Sequence, residues 1–132
     1  MDAIDIGEHC KILVLKDVPC IHIQWFGLPP SNEFQSGCNK AIELMVENSI
    51  SKILTDNTNA NVFSVKDQHR LNENWLPRAE KAGYRASATL VGNSNAFAKF
   101  AAQNIAKRRD QSKFANQFFT SKEEALKWLK SI

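Results

Sequence analysis

A chain of 132 residues, 43% hydrophobic and 23% charged, has room for one sheet and a layer of helices but not for two independent cores. A net charge of +3 is mild. Its densest basic stretch, Lys107 to Arg109 with Lys113 nearby, reads as the end of a helix complementing its dipole, so nucleic acid is not an expected partner. The expectation is a single domain over residues 1–132.

Met1 to Cys10 carries Asp2, Asp5 and Glu8, without the basic start or apolar centre of a secretory signal. No run approaches the roughly 20 apolar residues that cross a bilayer. A cytoplasmic protein with no membrane span is expected.

Two β-prone runs open the pattern, Cys10 to Lys16 and Cys20 to Phe26, joined so closely by Asp17-Val18-Pro19 that they form an antiparallel hairpin. Gly27-Leu28-Pro29-Pro30 ends the second run. Ser31, as N-cap, starts a helix whose stripe is Phe34, Cys38, Ala41, Ile42 and Met45. Lys52 to Thr55 reads as a short buried strand ending at Asp56, followed by a polar loop from Asn57 to Asn61.

Ser64 caps a long helix running toward Gly83, with Pro77 inside it as a kink or break. Arg85 to Val91 makes a fourth strand, and Gly92-Asn93-Ser94 turns the chain into a helix with Phe97, Phe100, Ala101 and Ile105 on its apolar face. Phe114 to Thr120 is a fifth strand. Ser121 and Glu124, at capping-box spacing, open the last helix, which carries Ala125, Leu126, Trp128 and Leu129.

The predicted fold is α/β, a five-stranded mixed sheet in the order ββαβαβαβα. After the hairpin each strand is followed by a helix, so right-handed crossovers should make those strands parallel.

Several stretches carry a resemblance: Ile23 to Phe34 (IQWFGLPPSNEF), Ile53 to Asn57 (ILTDN), Asn72 to Arg85 (NENWLPRAEKAGYR) and the closing EEALKWLKSI. With the element order, they resemble the STAS-type domains of anti-sigma-factor antagonists, and more closely the small bacterial SpoIIAA-like proteins, whose fold is related to CRAL-TRIO domains. The resemblance implies a non-enzymatic regulatory module that binds a protein partner and is able to pair with itself. It also implies, as an alternative, a domain binding a small lipid-like or nucleotide ligand. Regulated members carry a phosphorylatable serine in a DSSG-like turn; this chain has Asp56-Asn57-Thr58-Asn59 and then Ser64, read here as a plain N-cap.

Binding in open parallel sheets falls beyond the carboxyl ends of the strands, where helix N-termini point free N–H groups outward. That rule selects a rim of Gly27 and Leu28, Asp56 to Asn59, Gly92 to Ser94, and Thr120 with Ser121, and with the Ser64 cap the candidate binding residues here are Asp56, Asn57, Thr58, Ser64, Asn93 and Ser94. A second candidate site is the Pro77 break, a pocket with Trp75 and Leu76 lining one side; the alternative is that Trp75 and Leu76 fill the core while Arg78 braces a neighbouring carboxylate or strand-end carbonyl. Asp56 ends a hydrophobic strand as a receiver phosphoacceptor does, but Gly27-Leu28-Pro29-Pro30 stands where such a site needs acidic metal ligands. Cys10, Cys20 and Cys38 are odd in number and lack CxxC spacing, so buried thiols are expected, with no disulfide, metal or cofactor. Cys20 and His22 share a strand face but have no orienting acid or oxyanion hole nearby in sequence, and no catalytic residue is assigned.

Overall fold

The computed structural model describes residues 3–61, 64–92 and 114–132. Within them lie six strands: β1 Ile4–Ile6, β2 Cys10–Leu15, β3 Cys20–Gly27, β4 Lys52–Ala60, β5 Ala86–Leu90 and β6 Ala115–Phe119. They form one sheet whose spatial order is the chain order. The β1–β2 and β2–β3 pairs are antiparallel, and β3 through β6 are parallel.

The strand beyond the predicted five is β1, which pairs Ile4 with Ile12 and Ile6 with Cys10. Its Ile-Asp-Ile alternation fits a strand, yet three residues between acidic neighbours give too short a pattern to read. Ile4 and Ile6 pack on the main core, which gives the strand its reason to form.

The helices are α1 Ser31–Asn48, α2 Val65–Arg70, a π-helical turn over Leu71–Trp75, α3 Leu76–Lys81 and α4 Lys122–Ser131. They divide the sheet into two apolar faces. On one, Ile12, Val14, Ile21, Ile23, Trp25 and Ile53 meet Phe34, Ala41 and Met45 of α1, together with Trp75, Leu76 and Ala79. On the other, Cys20, Leu54, Ala88 and Leu90 are covered by Ala125 and Leu129 of α4. The period-two alternation of β3 and β4 builds both cores.

Four local expectations are corrected. Pro30, not Ser31, caps α1, and it makes no side-chain cap bond. Ser31 is the first helical residue, and its hydroxyl reaches across to Asp67 Oδ2 at 3.2 Å. β4 does not stop at Asp56, and Asn57 to Ala60 is strand rather than loop. Phe26 and Gly27 of β3 offer a free ladder to Asn59 and Ala60, and this pairing overrides the weak strand preference of asparagine.

The third correction is at Pro77. The helix is not broken there, because Leu71, Arg70, Leu76 and Trp75 all keep right-handed helical dihedrals. A π-helical turn just before the proline absorbs the missing donor, with the Leu76 N–H bonding to the Leu71 carbonyl five residues back. Arg78 is the fourth. Its Nε donates to the Asn74 carbonyl of its own helix at 3.3 Å, not to a carboxylate or a strand end.

The remaining ends follow the sequence. Ser64 Oγ accepts from the Asp67 N–H at 3.1 Å, and Ser121 Oγ accepts from the Glu124 N–H at 3.4 Å. Gly83, at φ +107°, terminates α3, and Tyr84 N–H returns to the Ala79 carbonyl. In β6 the polar Asn116 pairs with the buried Ser87 hydroxyl at 2.7 Å, which explains how that residue is tolerated in a strand. The predicted helix with Phe97 to Ile105 and the Lys107 to Arg109 cluster lie outside the described residues.

Candidate functional site

Two places in the fold gather the chemistry-bearing residues. The first is the rim at the carboxyl ends of β3 and β4. Between Gln24 and Phe26 of β3 there is one residue, whereas between their β4 partners Asp56 and Asn59 there are two. This bulge at Asn57-Thr58 bends the strand end. It lets Asp56 Oδ1 accept from the Thr58 N–H at 3.0 Å, while Gln24 Nε2 donates to Asp56 Oδ2 at 3.4 Å. Burial pushes the Asp56 carboxyl up, but hydrogen bonds from the Thr58 hydroxyl and N–H and from Gln24 outweigh it, leaving the carboxyl below its usual value.

The N-termini of α1 and α2 meet at this rim through the Ser31–Asp67 bond, and Asp67 is buried. Asn61 N–H donates to the Gly27 carbonyl at 2.8 Å and closes the gap between the β3 and β4 ends. Leu28 and Val65 flank the rim at 52% and 77% exposure. They are the two large apolar side chains turned outward at the two helix starts.

Cys20 and His22 lie on the opposite face of β3 from Trp25, paired with Leu15 and Leu13 of β2. Both are buried. Burial pushes the Cys20 thiol up to about 11, against the pull of Lys52 and Lys122. Burial and Lys122 also push the His22 imidazole down, with Asp56 opposing. A neutral thiol beside a neutral imidazole is the reverse of the ion pair that activates a cysteine nucleophile. Burial takes Cys10 to about 12 as well.

The second place is a partly open cleft of about 340 Å³ between α1 and the π-helical turn. Phe34, Gln35, Cys38 and Asn39 form one wall, and Arg70, Leu71, Asn74, Trp75 and Arg78 form the other. Trp75 is 7% exposed and fixed by its Nε1–H, which donates to the Cys38 carbonyl at 2.7 Å. Its ring meets Tyr84 edge-on at 5.5 Å. Trp75 is thus core on one side and cleft wall on the other, and Leu76 belongs to the core alone.

The structure brings Asp56, Asn57 and Thr58 together at the bulge, sets Ser64 at the α2 cap, and gathers Trp75 and Arg78 in the cleft. Pro77 shapes that helix but is not among the residues lining the cleft. Asn93 and Ser94 lie outside the described residues. Sequence reading passed over Asp67, although Ser64 and Asp67 stand at capping spacing, and it passed over Arg70 and Asn74, which precede Arg78 at steps of four. It also missed Gln35 and Asn39, one helical turn apart on the polar side of α1. Among the described residues no group of three His, Cys, Asp or Glu side chains converges as metal ligands do, and no helix is long and apolar enough to cross a membrane.

No family model and no curated protein matches the chain. Among solved structures, the anti-sigma factor antagonist SpoIIAA in its unphosphorylated form matches with a TM-score of 0.63 at 12% identity, over 93% of this chain and 99% of that one. An uncharacterized protein of the DUF3478 family with a SpoIIAA-like fold, from Shewanella loihica PV-4, matches with a TM-score of 0.58 at 18% identity, over 96% of this chain and 98% of that one. The leading antiparallel strands followed by parallel βα units thus form a STAS-type, SpoIIAA-like fold.

Proposed function

We propose that this chain is a non-enzymatic regulatory module of the cytoplasm that binds a protein partner through the strand-end rim. The observation that carries the reading is the pair of outward apolar side chains there. Leu28 and Val65, at 52% and 77% exposure, stand over N-termini held together by the Ser31–Asp67 bond. Exposed apolar anchors ringed by polar groups are the usual anatomy of a protein interface. Ser31 and Ser64 at the two helix starts supply polar neighbours, and Asp56, Asn57 and Thr58 stand at the bulge behind the end of β4. The solved neighbour SpoIIAA is an anti-sigma factor antagonist, and the shared fold is consistent with a regulatory partner. Ser64 serves here as an N-cap rather than a phosphorylation switch. The buried, neutral Cys20 and His22 favour binding over turnover.

The test compares L28D/V65D, and each of its single variants, with V46D, which places one such charge on another exposed valine, at the C-terminal end of α1. Tagged wild type and V46D should capture the same protein from lysate, and L28D/V65D should capture it at least about tenfold less, as expected when central anchors are lost. If the partner is a second copy, sedimentation of wild type and V46D will rise with concentration while that of L28D/V65D stays flat. Equal capture and equal sedimentation by all of these proteins would refute the rim as an interface.

A further inference from the structure

The cleft between α1 and the π-helical turn has a composition that no part of the rim explains. Arg70, Asn74 and Arg78 succeed one another at steps of four along one wall. In an unbroken α-helix, residues eight apart sit about 80° away from each other around the axis. A π-helical turn takes up one extra residue, which reduces that offset to about 20°. The turn ahead of Pro77 therefore brings both arginines to the same side of the helix. With one residue taken up by that turn, the two arginines sit about 10.5 Å apart along the axis, a span that two guanidinium side chains close from either end.

Opposite them, Gln35 and Asn39 present carboxamides one turn apart on α1, and Phe34, Cys38, Leu71 and Trp75 supply the apolar surface. No aspartate or glutamate lines the cleft. Among the described residues neither arginine has an ion-pair partner; Arg78 uses only Nε, on the Asn74 carbonyl. Its two terminal amino groups have no hydrogen bond among the described residues. The volume of about 340 Å³ falls at the lower end of the range of small-ligand sites, about 300–1,000 Å³.

We infer that this cleft binds a compact aromatic acid, its anionic oxygens taken by Arg70 and Arg78 and its flat body set against Phe34, Leu71 and Trp75. Guanidinium groups match carboxylate and phosphate oxygens in fork geometry. The carboxamides of Gln35, Asn39 and Asn74 each offer both a donor and an acceptor to polar atoms on the ligand body. A long acyl chain would leave these five polar side chains facing hydrocarbon, so its fit is worse.

Calorimetry of the intact chain with indole-3-acetate, phenyl phosphate, indole-3-acetamide and decanoate tests the assignment. At least one aromatic acid should bind about tenfold or more tighter than the neutral amide, and the better of the two identifies the oxyanion as carboxylate or phosphate. Single variants R70Q and R78Q, and the double R70Q/R78Q, should lose that preference while keeping the parent circular dichroism. The side-chain amide signals of Gln35, Asn39 and Asn74 should shift with the acid. Binding of the amide as tight as that of the acids, decanoate tighter than both aromatic acids, or no heat from any of the four overturns the inference.

Discussion

His22 lies mid-strand in β3 at 3% exposure, and its Nε2 has no hydrogen-bond partner among the described residues. Burial, with Lys122 adding to it, holds the imidazole below its ordinary value of 6.5. Below that value the unfolded chain takes up a proton that the folded chain refuses. The stability tied to this residue is thus complete above about 6.5 and declines as pH falls toward the depressed folded value. His22→Leu keeps an apolar filling and removes the titration. Urea unfolding between about pH 7.5 and 5.5 should show the parent losing stability relative to the variant as pH falls, and a constant difference would contradict this account. Ser49 is a second informative residue. It ends α1 at φ 53° and ψ 45°, the left-handed region, where the Ile50 N–H closes back on the Met45 carbonyl. Glycine holds that conformation without a Cβ penalty, so Ser49→Gly should stabilise the protein by about 0.5–1 kcal/mol in the same assay.

Elements show how the chain reconciles its own local conflicts. Pro77 demands a break, yet packing of Trp75, Leu76 and Ala79 on the main core demands continuity, and one π-helical turn satisfies both. α4 is held at its far end by Lys52, whose Nζ donates to the Leu129 carbonyl at 2.6 Å and to the Ile132 main-chain oxygen at 2.5 Å. A cation on the last carbonyls of a helix satisfies acceptors that the helix leaves open. Lys52→Met keeps the alkyl stem and loses both bonds, so it should cost about 1–2 kcal/mol and speed amide exchange in the last turn of α4. Unchanged exchange there would remove Lys52 from that role.

The legibility of these elements in the sequence follows their physics. The β2–β3 hairpin, the stripe of α1 and the Ser121 cap were readable because each signal is local and repeats with the period of its element. The end of β4 was not, since Asn57 to Asn59 become strand only because β3 supplies a ladder. β1 was hidden by its length. Of the candidate site, Trp75 and Arg78 were legible through their closeness to Pro77. Gln35, Asn39 and Arg70 were not, because nothing local says that two polar helix faces will meet across a cleft.

At the scale of the whole molecule, the sheet separates two kinds of surface. Its α1 side carries the cleft and the helix starts of the rim, while Gln24 and Asp56 at the strand end share the α4 side with the buried Cys20, His22 and Leu54. The rim, with Leu28, Asp56 and Ser64, and the cleft, with Arg70, Trp75 and Arg78, share no lining residue. A partner protein on one and a small acid in the other are therefore distinct occupancies. The helical tract that forms one wall of the cleft starts at the Ser64 cap on the rim, so the two meet through a single element.

The spatial order of the strands being also their order along the chain has a kinetic consequence. Each strand docks beside the one made just before it, and no pair already formed must part to admit a later arrival. Most sheets with a central first strand lack that property. Assembly of this one can advance in a single direction, each strand closing a loop only to the strand just before it in the chain.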